Sequence, residues 1–352
     1  MKCIILVGGF GTRLRPLTFA VPKSLVPFCN QPIVEHQIAA AVKAGVKHVI
    51  LAVGWKADDM QSAIDGFKRK YNIEITCSVE TSPLGTAGPI RLAEHILRAG
   101  GDADEPFFVF NSDVICEFPL SEMLAYHKLH KAEGTVCVTR VEDPSKYGVV
   151  VSRENGQIER FVEKPAVFIS DKINAGLYVL NRSVIDRIDA NVFRMIETDV
   201  FPKMATDGKL FSFTLKGYWA DIGQPKDFLQ GMKLHLASTV GGSNVLIDAS
   251  TKTGADCMIG PNVTIGANCV IGRGVKISNT CIMAGTTVGD FAHINESILG
   301  WKNRVGKWAK IDNYTITGED VSIAEGVFTN GAIVLPNKSV KQSVTVQGTI
   351  LM

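Results

Sequence analysis

The sequence lacks the features that mark several large classes of protein. It has no long basic run, and its formal net charge is only +2. Neither nucleic acid nor a membrane surface is therefore expected as a main partner. No apolar stretch is long enough to span a bilayer, and the chain runs straight into a strand-like segment with no charged-then-apolar leader. The expectation is a soluble, cytoplasmic protein. The eight cysteines are scattered and form no Cys-x-x-Cys, so they read as small apolar core residues in a reducing compartment, not as disulfides or zinc ligands. Two familiar phosphate loops are also missing. Gly9-Phe10-Gly11 is not followed by the third glycine of a dinucleotide fingerprint, and no Gly-Lys-Ser/Thr closes a P-loop.

What the sequence does contain is Gly8-Gly9-Phe10-Gly11-Thr12-Arg13-Leu14-Arg15-Pro16-Leu17-Thr18, with Pro22-Lys23 shortly after and the apolar run Cys3–Val7 before it. This pattern predicts a buried strand ending in a glycine turn. Glycines let backbone N–H groups approach phosphate oxygens closely, and Arg13, Arg15 and Lys23 place cationic donors beside the same turn. The chemistry indicated is the handling of a triphosphate.

At 352 residues, nearly half of them apolar, the chain is long enough for two domains with real cores. Strand-like and helix-like runs alternate through the first half: strands at 1–7, 48–53, 73–79 and 106–110, helices at 33–44, 58–71, 86–98 and 121–131. That alternation predicts an α/β domain with a mostly parallel, Rossmann-like sheet, whose ligands sit beyond the carboxyl ends of the strands. Two such loops stand out. Glu80-Thr81-Ser82-Pro83-Leu84-Gly85-Thr86-Ala87-Gly88 leads into a helix start, where free N–H groups can meet a base edge or a phosphate. Asn111-Ser112-Asp113 caps the fourth strand, and Asp113 is the natural first carboxylate for a divalent cation held across a triphosphate. From Thr135 strands dominate. This stretch carries Lys146-Tyr147-Gly148, Phe161-Val162-Glu163-Lys164-Pro165 and Asn174-Ala175-Gly176. Glu163, Lys164 and Asn174 suit a phosphorylated sugar: carboxylate for hydroxyls, ammonium for phosphate, amide for either. Asp221, after the aromatic run Tyr218-Trp219, is the second candidate for the metal.

Taken together these motifs resemble the sugar-1-phosphate nucleotidyltransferases, whose signature is Gly-Gly-x-Gly-Thr-Arg-Leu-x-Pro-Leu-Thr with a Pro-Lys downstream. Tyr-Gly-Val-Val, Arg-Phe-Val-Glu-Lys-Pro, Ile-Asn-Ala-Gly and Asp-Ile-Gly-Gln-Pro-Lys-Asp-Phe resemble the beta-type catalytic chains of the subgroup that joins GTP to mannose-1-phosphate. The resemblance implies a nucleotide site of Leu6, Gly8, Gly9, Gly11, Thr12, Arg13, Lys23, Glu80, Gly85, Thr86, Asn111 and Asp113. It implies a sugar-phosphate site of Gly148, Glu163, Lys164, Asn174 and Asp221, with Mg²⁺ on Asp113 and Asp221. Arg13 and Lys23 would stabilise leaving pyrophosphate, and Lys164 would hold the attacking phosphate; these three are the expected catalytic residues. The product would be GDP-mannose. Two positions depart from the pattern: Ser24 stands where proline is usual, and Ala220 replaces a bulkier apolar residue before Asp221.

The second half is periodic. Ile247, Thr253, Ile259, Ile265, Ile271, Ile277 and Met283 recur every six residues, and Gly254, Gly260, Gly266 and Gly272 each follow one of them. This hexapeptide repeat predicts a parallel β-helix, with glycines allowing the corners and a phase slip near Val288 and again at Leu299-Gly300. The expected domains are 1–238, nucleotidyl transfer, and 239–352, a β-helix; the resemblance implies that it is left-handed and supports a homo-oligomer, with a related regulatory chain as a further partner. Hexapeptide coils also occur in acyltransferases, but His293 is the one histidine beyond residue 238 and reads as a surface or corner residue. The alternatives are the same reaction with another base and glucose-1-phosphate, and a non-catalytic chain that senses GDP-mannose. The intact glycine loop argues against the latter.

Overall fold

The computed structural model describes residues 1–54, 60–100, 105–240, 242 and 244–352. The chain divides into two compact units, one formed by 1–9 with 34–219 and the other by 10–33 with 220–352.

The first unit is built on a nine-stranded sheet. Lys2–Leu6 lies at its centre, parallel to His48–Val53 on one side and to Phe107–Asn111 on the other. Glu74–Val79 extends the parallel half. These strands are rich in β-branched and aromatic residues, and Val49 to Val53 are all buried, as a strand covered on both faces requires. The other half departs from the expected parallel order. Lys172–Leu180 runs antiparallel to Phe107–Asn111, Gly134–Arg140 and Gly148–Ser152, and Ile158–Glu163 is antiparallel to Gly148–Ser152. The sheet as a whole is therefore mixed. Helices Ile33–Lys43, Gln61–Tyr71 and Leu120–His130 stand close to their expected places. Residues 58 and 59, the expected start of the second, lie outside the described residues. The helix expected over 86–98 is two short ones, Gly88–Leu92 and Glu94–Arg98, broken at Ala93, whose ψ of 6° leaves the helical basin.

The second unit contains the β-helix. Its strands form three parallel sheets of seven, six and five strands, an architecture consistent with a left-handed β-helix. Ile265, Ile271, Ile277, Ile294 and Ile311 stack in its core. Ile247 pairs with Ile265 eighteen residues on, three hexapeptides per coil. Ile265 then pairs with Ile282, seventeen on. The first slip thus falls just after Ile277, one corner before the expected Val288, and Ile282 takes the core place assigned to Met283. The next pairing, Ile282 with Leu299, is also seventeen residues, and the following one, Leu299 with Thr317, returns to eighteen.

The glycines of the repeat serve close approach. Gly254, Gly266 and Gly272 do not have left-handed φ; a Cβ on each would lie 2.7–2.8 Å from backbone atoms of the next coil. The left-handed corners are filled largely by Asp256, Asn262, Asn268 and Asn313, residues that tolerate that region. Along one corner the amides of Asn244, Asn262, Asn279 and Asn295 hydrogen-bond in series, ending on Asp312, at 2.8–3.2 Å. Two other segments pack in this unit. Asn30 donates to the Ile265 carbonyl at 2.9 Å, and Phe28 meets Phe228 of the helix Pro225–Thr239 edge-on, ring centres 5.2 Å apart.

All eight cysteines are free thiols, six of them buried. No helix among the described residues is long and apolar enough to cross a membrane.

Candidate functional site

In the first unit four neighbouring parallel strands deliver their carboxyl ends to one edge. Leu6 pairs with Asn111 in the sheet, and Glu80 follows the strand Glu74–Val79, its N–H bonded to the Val53 carbonyl at 2.9 Å. Gly8 lies against the Glu80 carboxylate: a Cβ on Gly8 would be 3.2 Å from Oε1. Glu80 also accepts the Leu84 N–H at 3.2 Å, and burial raises its carboxyl above the ordinary value. Gly9 is open, with nothing near its missing side chain. The turn after Asn111 is braced from below by Gln37, which donates to the carbonyls of Asn111 and Val114 at 2.8 and 3.2 Å. Asp113, half-buried, stands on this braced turn.

The loop 80–88 is fixed to a segment that the sequence reading did not single out. Arg194 N–H donates to the Leu84 carbonyl at 3.0 Å and Ala87 N–H to the Arg194 carbonyl at 2.9 Å. Gly85 has φ +77°, and a side chain there would collide with the Arg194 carbonyl. Thr86 Oγ1 accepts the Ile196 N–H at 2.8 Å and donates to Glu197 Oε2 at 2.5 Å. Glu197 is 7% exposed.

Of the sugar-phosphate candidates, Gly148, Glu163, Lys164 and Asn174 lie in the same unit, and Asp221 belongs to the other. Gly148 and Glu163 face each other across antiparallel strands. Lys164 adopts φ +44°, donates its N–H to the Tyr147 carbonyl at 3.1 Å, and keeps an exposed ammonium 3.6 Å from Glu163. Asn174 donates to the Tyr178 hydroxyl at 2.8 Å and accepts the Gly176 N–H at 2.9 Å. Register slips between Asn174 and Tyr178, a bulge that re-aims the side chain. Tyr178 is fully buried, and its hydroxyl is pushed well up by burial first and then by the charges of Glu197 and Glu163, against hydrogen bonds from Asn174 and Asn111. Asn111 and Asn174 thus meet at the Tyr178 hydroxyl, and Thr86 is held by Glu197. Neither Tyr178 nor Glu197 carried a motif signal in the sequence.

The second unit holds the rest. Gly11 sits at φ +63° and caps the 3-10 turn Thr12–Leu14; its carbonyl accepts Thr18 Oγ1 at 2.9 Å. Lys23 Cβ would be 2.8 Å from a Cβ on Gly11, so the backbone passes directly over the lysine stem. Arg15 lies over the Phe19 ring at 5.0 Å. Asp221 Oδ1 accepts the Gly223 N–H at 2.8 Å, and a Cβ on Gly223 would lie 2.8 Å from that oxygen and 2.9 Å from Arg13 Nη2. Arg13 and Asp221 therefore flank one glycine. Among the described residues no group of three or more His, Cys, Asp or Glu is assembled to hold a metal ion. His293 is exposed, paired in its sheet between Lys276 and Lys310.

Comparison with known proteins places this geometry. The nucleotidyl transferase family model matches residues 2–238, and the GMPPB C-terminal domain model matches residues 242–350. A mannose-1-phosphate guanyltransferase of Hypocrea jecorina is 49% identical over the full length of both chains. The mannose-1-phosphate guanylyltransferase catalytic subunit beta of Xenopus tropicalis is 52% identical, with 98% of each chain covered. Among solved structures, HddC from Yersinia pseudotuberculosis superposes with a TM-score of 0.53 at 27% identity, over 65% of this chain and 97% of its own.

Proposed function

The chain belongs to the nucleotidyl transferase family, and from that premise we propose that it transfers GMP from GTP to mannose-1-phosphate, releasing pyrophosphate and GDP-mannose. The observation that carries this reading is the full-length similarity, at about half identity, to chains named for that reaction. The placement of Thr86, Asn111, Glu163, Lys164 and Asn174 in one compact unit supports it. We further propose residues 1–238 as the catalytic domain and 239–352 as a β-helix that carries no chemistry and joins copies of the chain.

The proposed step is a single in-line displacement. An anionic phosphate oxygen of mannose-1-phosphate forms a bond to the α-phosphorus of GTP. The bond to the bridging oxygen breaks on the far side, and its electron pair leaves with pyrophosphate. The nucleophile is already ionised, so catalysis is mostly orientation and charge neutralisation. Lys164 would hold the attacking phosphate. Gly8, Gly9, Gly11 and Thr12 would offer backbone donors to the triphosphate, with Arg13 and Lys23 meeting charge on the leaving group. Leu6, Glu80, Gly85 and Thr86 would line the base, and Gly148, Glu163 and Asn174 the sugar.

The donor chemistry fits Mg²⁺: Asp113 and Asp221 each offer hard carboxylate oxygens, and phosphate oxygens and water would supply the other positions. Bound there, the cation would neutralise phosphate charge. Asp113 and Asp221 are the residues that would hold it. We place the reaction in the cytoplasm.

The test is pyrophosphate release by the purified chain alone, with four nucleoside triphosphates crossed against mannose-1-phosphate and glucose-1-phosphate. Fastest turnover with GTP and mannose-1-phosphate is expected. A different best pair overturns the substrate assignment, and tight binding of GDP-mannose without turnover identifies a sensing chain.

A further inference from the structure

We propose that Glu197 is a positioning residue for the nucleotide, holding the loop 80–88 through the Thr86 hydroxyl. The inference rests on the functional reading above and deepens it.

Four observations support it. Thr86 Oγ1 is committed on both sides, accepting from Ile196 N–H and donating to Glu197 Oε2 at 2.5 Å. Its role toward a nucleotide is thus to fix the loop, and Glu197 fixes Thr86. Second, Glu197 lies in a wide π-helical turn, Ile196–Val200, a geometry that recurs at functional sites. Third, the turn is itself tied down: Met195 N–H donates to Asp199 Oδ2 at 2.7 Å, and Arg194 exchanges two backbone hydrogen bonds with Leu84 and Ala87. Loop and turn therefore form one body with Glu197 as its buried charged side chain. Fourth, Glu197 interacts electrostatically with both Glu163 and Lys164, the carboxylate opposing its charge and the ammonium favouring it.

The choice of a carboxylate needs a reason. Burying it costs free energy, and burial raises its pKa above the ordinary value. A neutral amide would accept the Thr86 proton without that cost. An ionised oxygen accepts a hydroxyl proton in a shorter and stronger bond than an amide does, and the Thr86–Glu197 contact of 2.5 Å has that length.

Three variants test this. Glu197→Gln keeps an acceptor for Thr86, Glu197→Ala removes it, and Thr86→Val removes the donor at similar shape. Glu197→Ala and Thr86→Val should each raise the KM for GTP about tenfold, the effect of losing one charge-assisted hydrogen bond, with a smaller change in kcat. The double variant should be no worse than either single one. Glu197→Gln should restore the KM for GTP. Hydrogen–deuterium exchange of residues 84–88 in the ligand-free protein should rise in Glu197→Ala and Thr86→Val and return to the wild-type level in Glu197→Gln. An unchanged KM in Glu197→Ala, additive single effects, or a Gln variant no better than Ala would overturn the proposal. If the wild-type chain itself turns over no GTP, the functional reading fails, and the exchange comparison alone decides whether Glu197 holds the loop.

Discussion

Gly148 and Glu163 oppose each other across two antiparallel strands so closely that a Cβ on Gly148 would lie 2.7 Å from Glu163 Oε2 and 2.9 Å from the Phe161 ring. The glycine is what lets the carboxylate stand where a sugar hydroxyl would reach it. Gly148→Ala should push Glu163 aside and raise the KM for mannose-1-phosphate roughly tenfold, as loss of a hydrogen bond to a charged group does. Steady-state kinetics at saturating GTP provide the check, and an unaltered KM would remove Glu163 from the sugar site.

Asp113 stands half-buried on a turn held by Gln37, outside the hydrophobic core. Asp113→Ala should leave the melting temperature near that of the wild type and abolish turnover at every Mg²⁺ concentration. Near-normal activity in a folded variant would discard the metal assignment.

Gly11 combines a left-handed backbone with the Lys23 stem lying where a side chain would go. Gly11→Ala should cost about 1–2 kcal/mol for the backbone alone, plus displacement of Lys23. Calorimetry and triphosphate binding should therefore fall together. A variant that melts earlier but binds GTP normally would separate Lys23 from the triphosphate.

The β-helix glycines make a different prediction. Gly272→Ala places a methyl 2.7 Å from the Asp290 backbone N and should destabilise the fold by about 1–3 kcal/mol through overpacking. Gly66, inside the helix Gln61–Tyr71 with nothing near its missing side chain, is the counterpart. Gly66→Ala should stabilise by about 0.5–1 kcal/mol. Equal melting temperatures for the two variants would contradict this account.

His127 gives the fold a pH dependence. It is 2% exposed, its Nδ1 2.9 Å from Thr135 Oγ1 and its Nε2 2.9 Å from Asn181 Oδ1. Burial, aided slightly by Lys128, holds its pKa below the ordinary 6.5 despite the Asn181 hydrogen bond. The unfolded chain therefore takes up the proton first as pH falls. The stability tied to neutral His127 is whole above 6.5 and is lost as pH drops through the lowered folded value, with a slope of at most about 1.4 kcal/mol per pH unit. Denaturant titrations from pH 7.5 to 5 should show this slope in the wild type and a shallower one in His127→Gln.

Local chemistry carried much of this molecule into its sequence. The strands His48–Val53 and Gly148–Ser152 stand where their apolar runs put them, because burial on both faces demands such runs. The hexapeptide period announced the three-sided coil. What the sequence hid depends on contacts between distant segments. Met283 continues the period of six, yet Ile282 faces the core because the corner after Ile277 is one residue shorter. The direction of the strands beyond Thr135 was not legible, because an apolar strand looks the same either way. Glu197 was silent because its meaning lies in Thr86, more than a hundred residues earlier in the chain.

The asparagine series along the β-helix corner has a direction. Each Nδ2 donates to the oxygen of the residue one coil on, from Asn244 through Asn262, Asn279 and Asn295. A row of amides alone is reversible, since turning every group over gives an equivalent chain. Asp312 ends this degeneracy, because an ionised carboxylate accepts and never donates. One acidic residue thereby sets the polarity of four amides, much as a single fixed magnet orients a line of free ones.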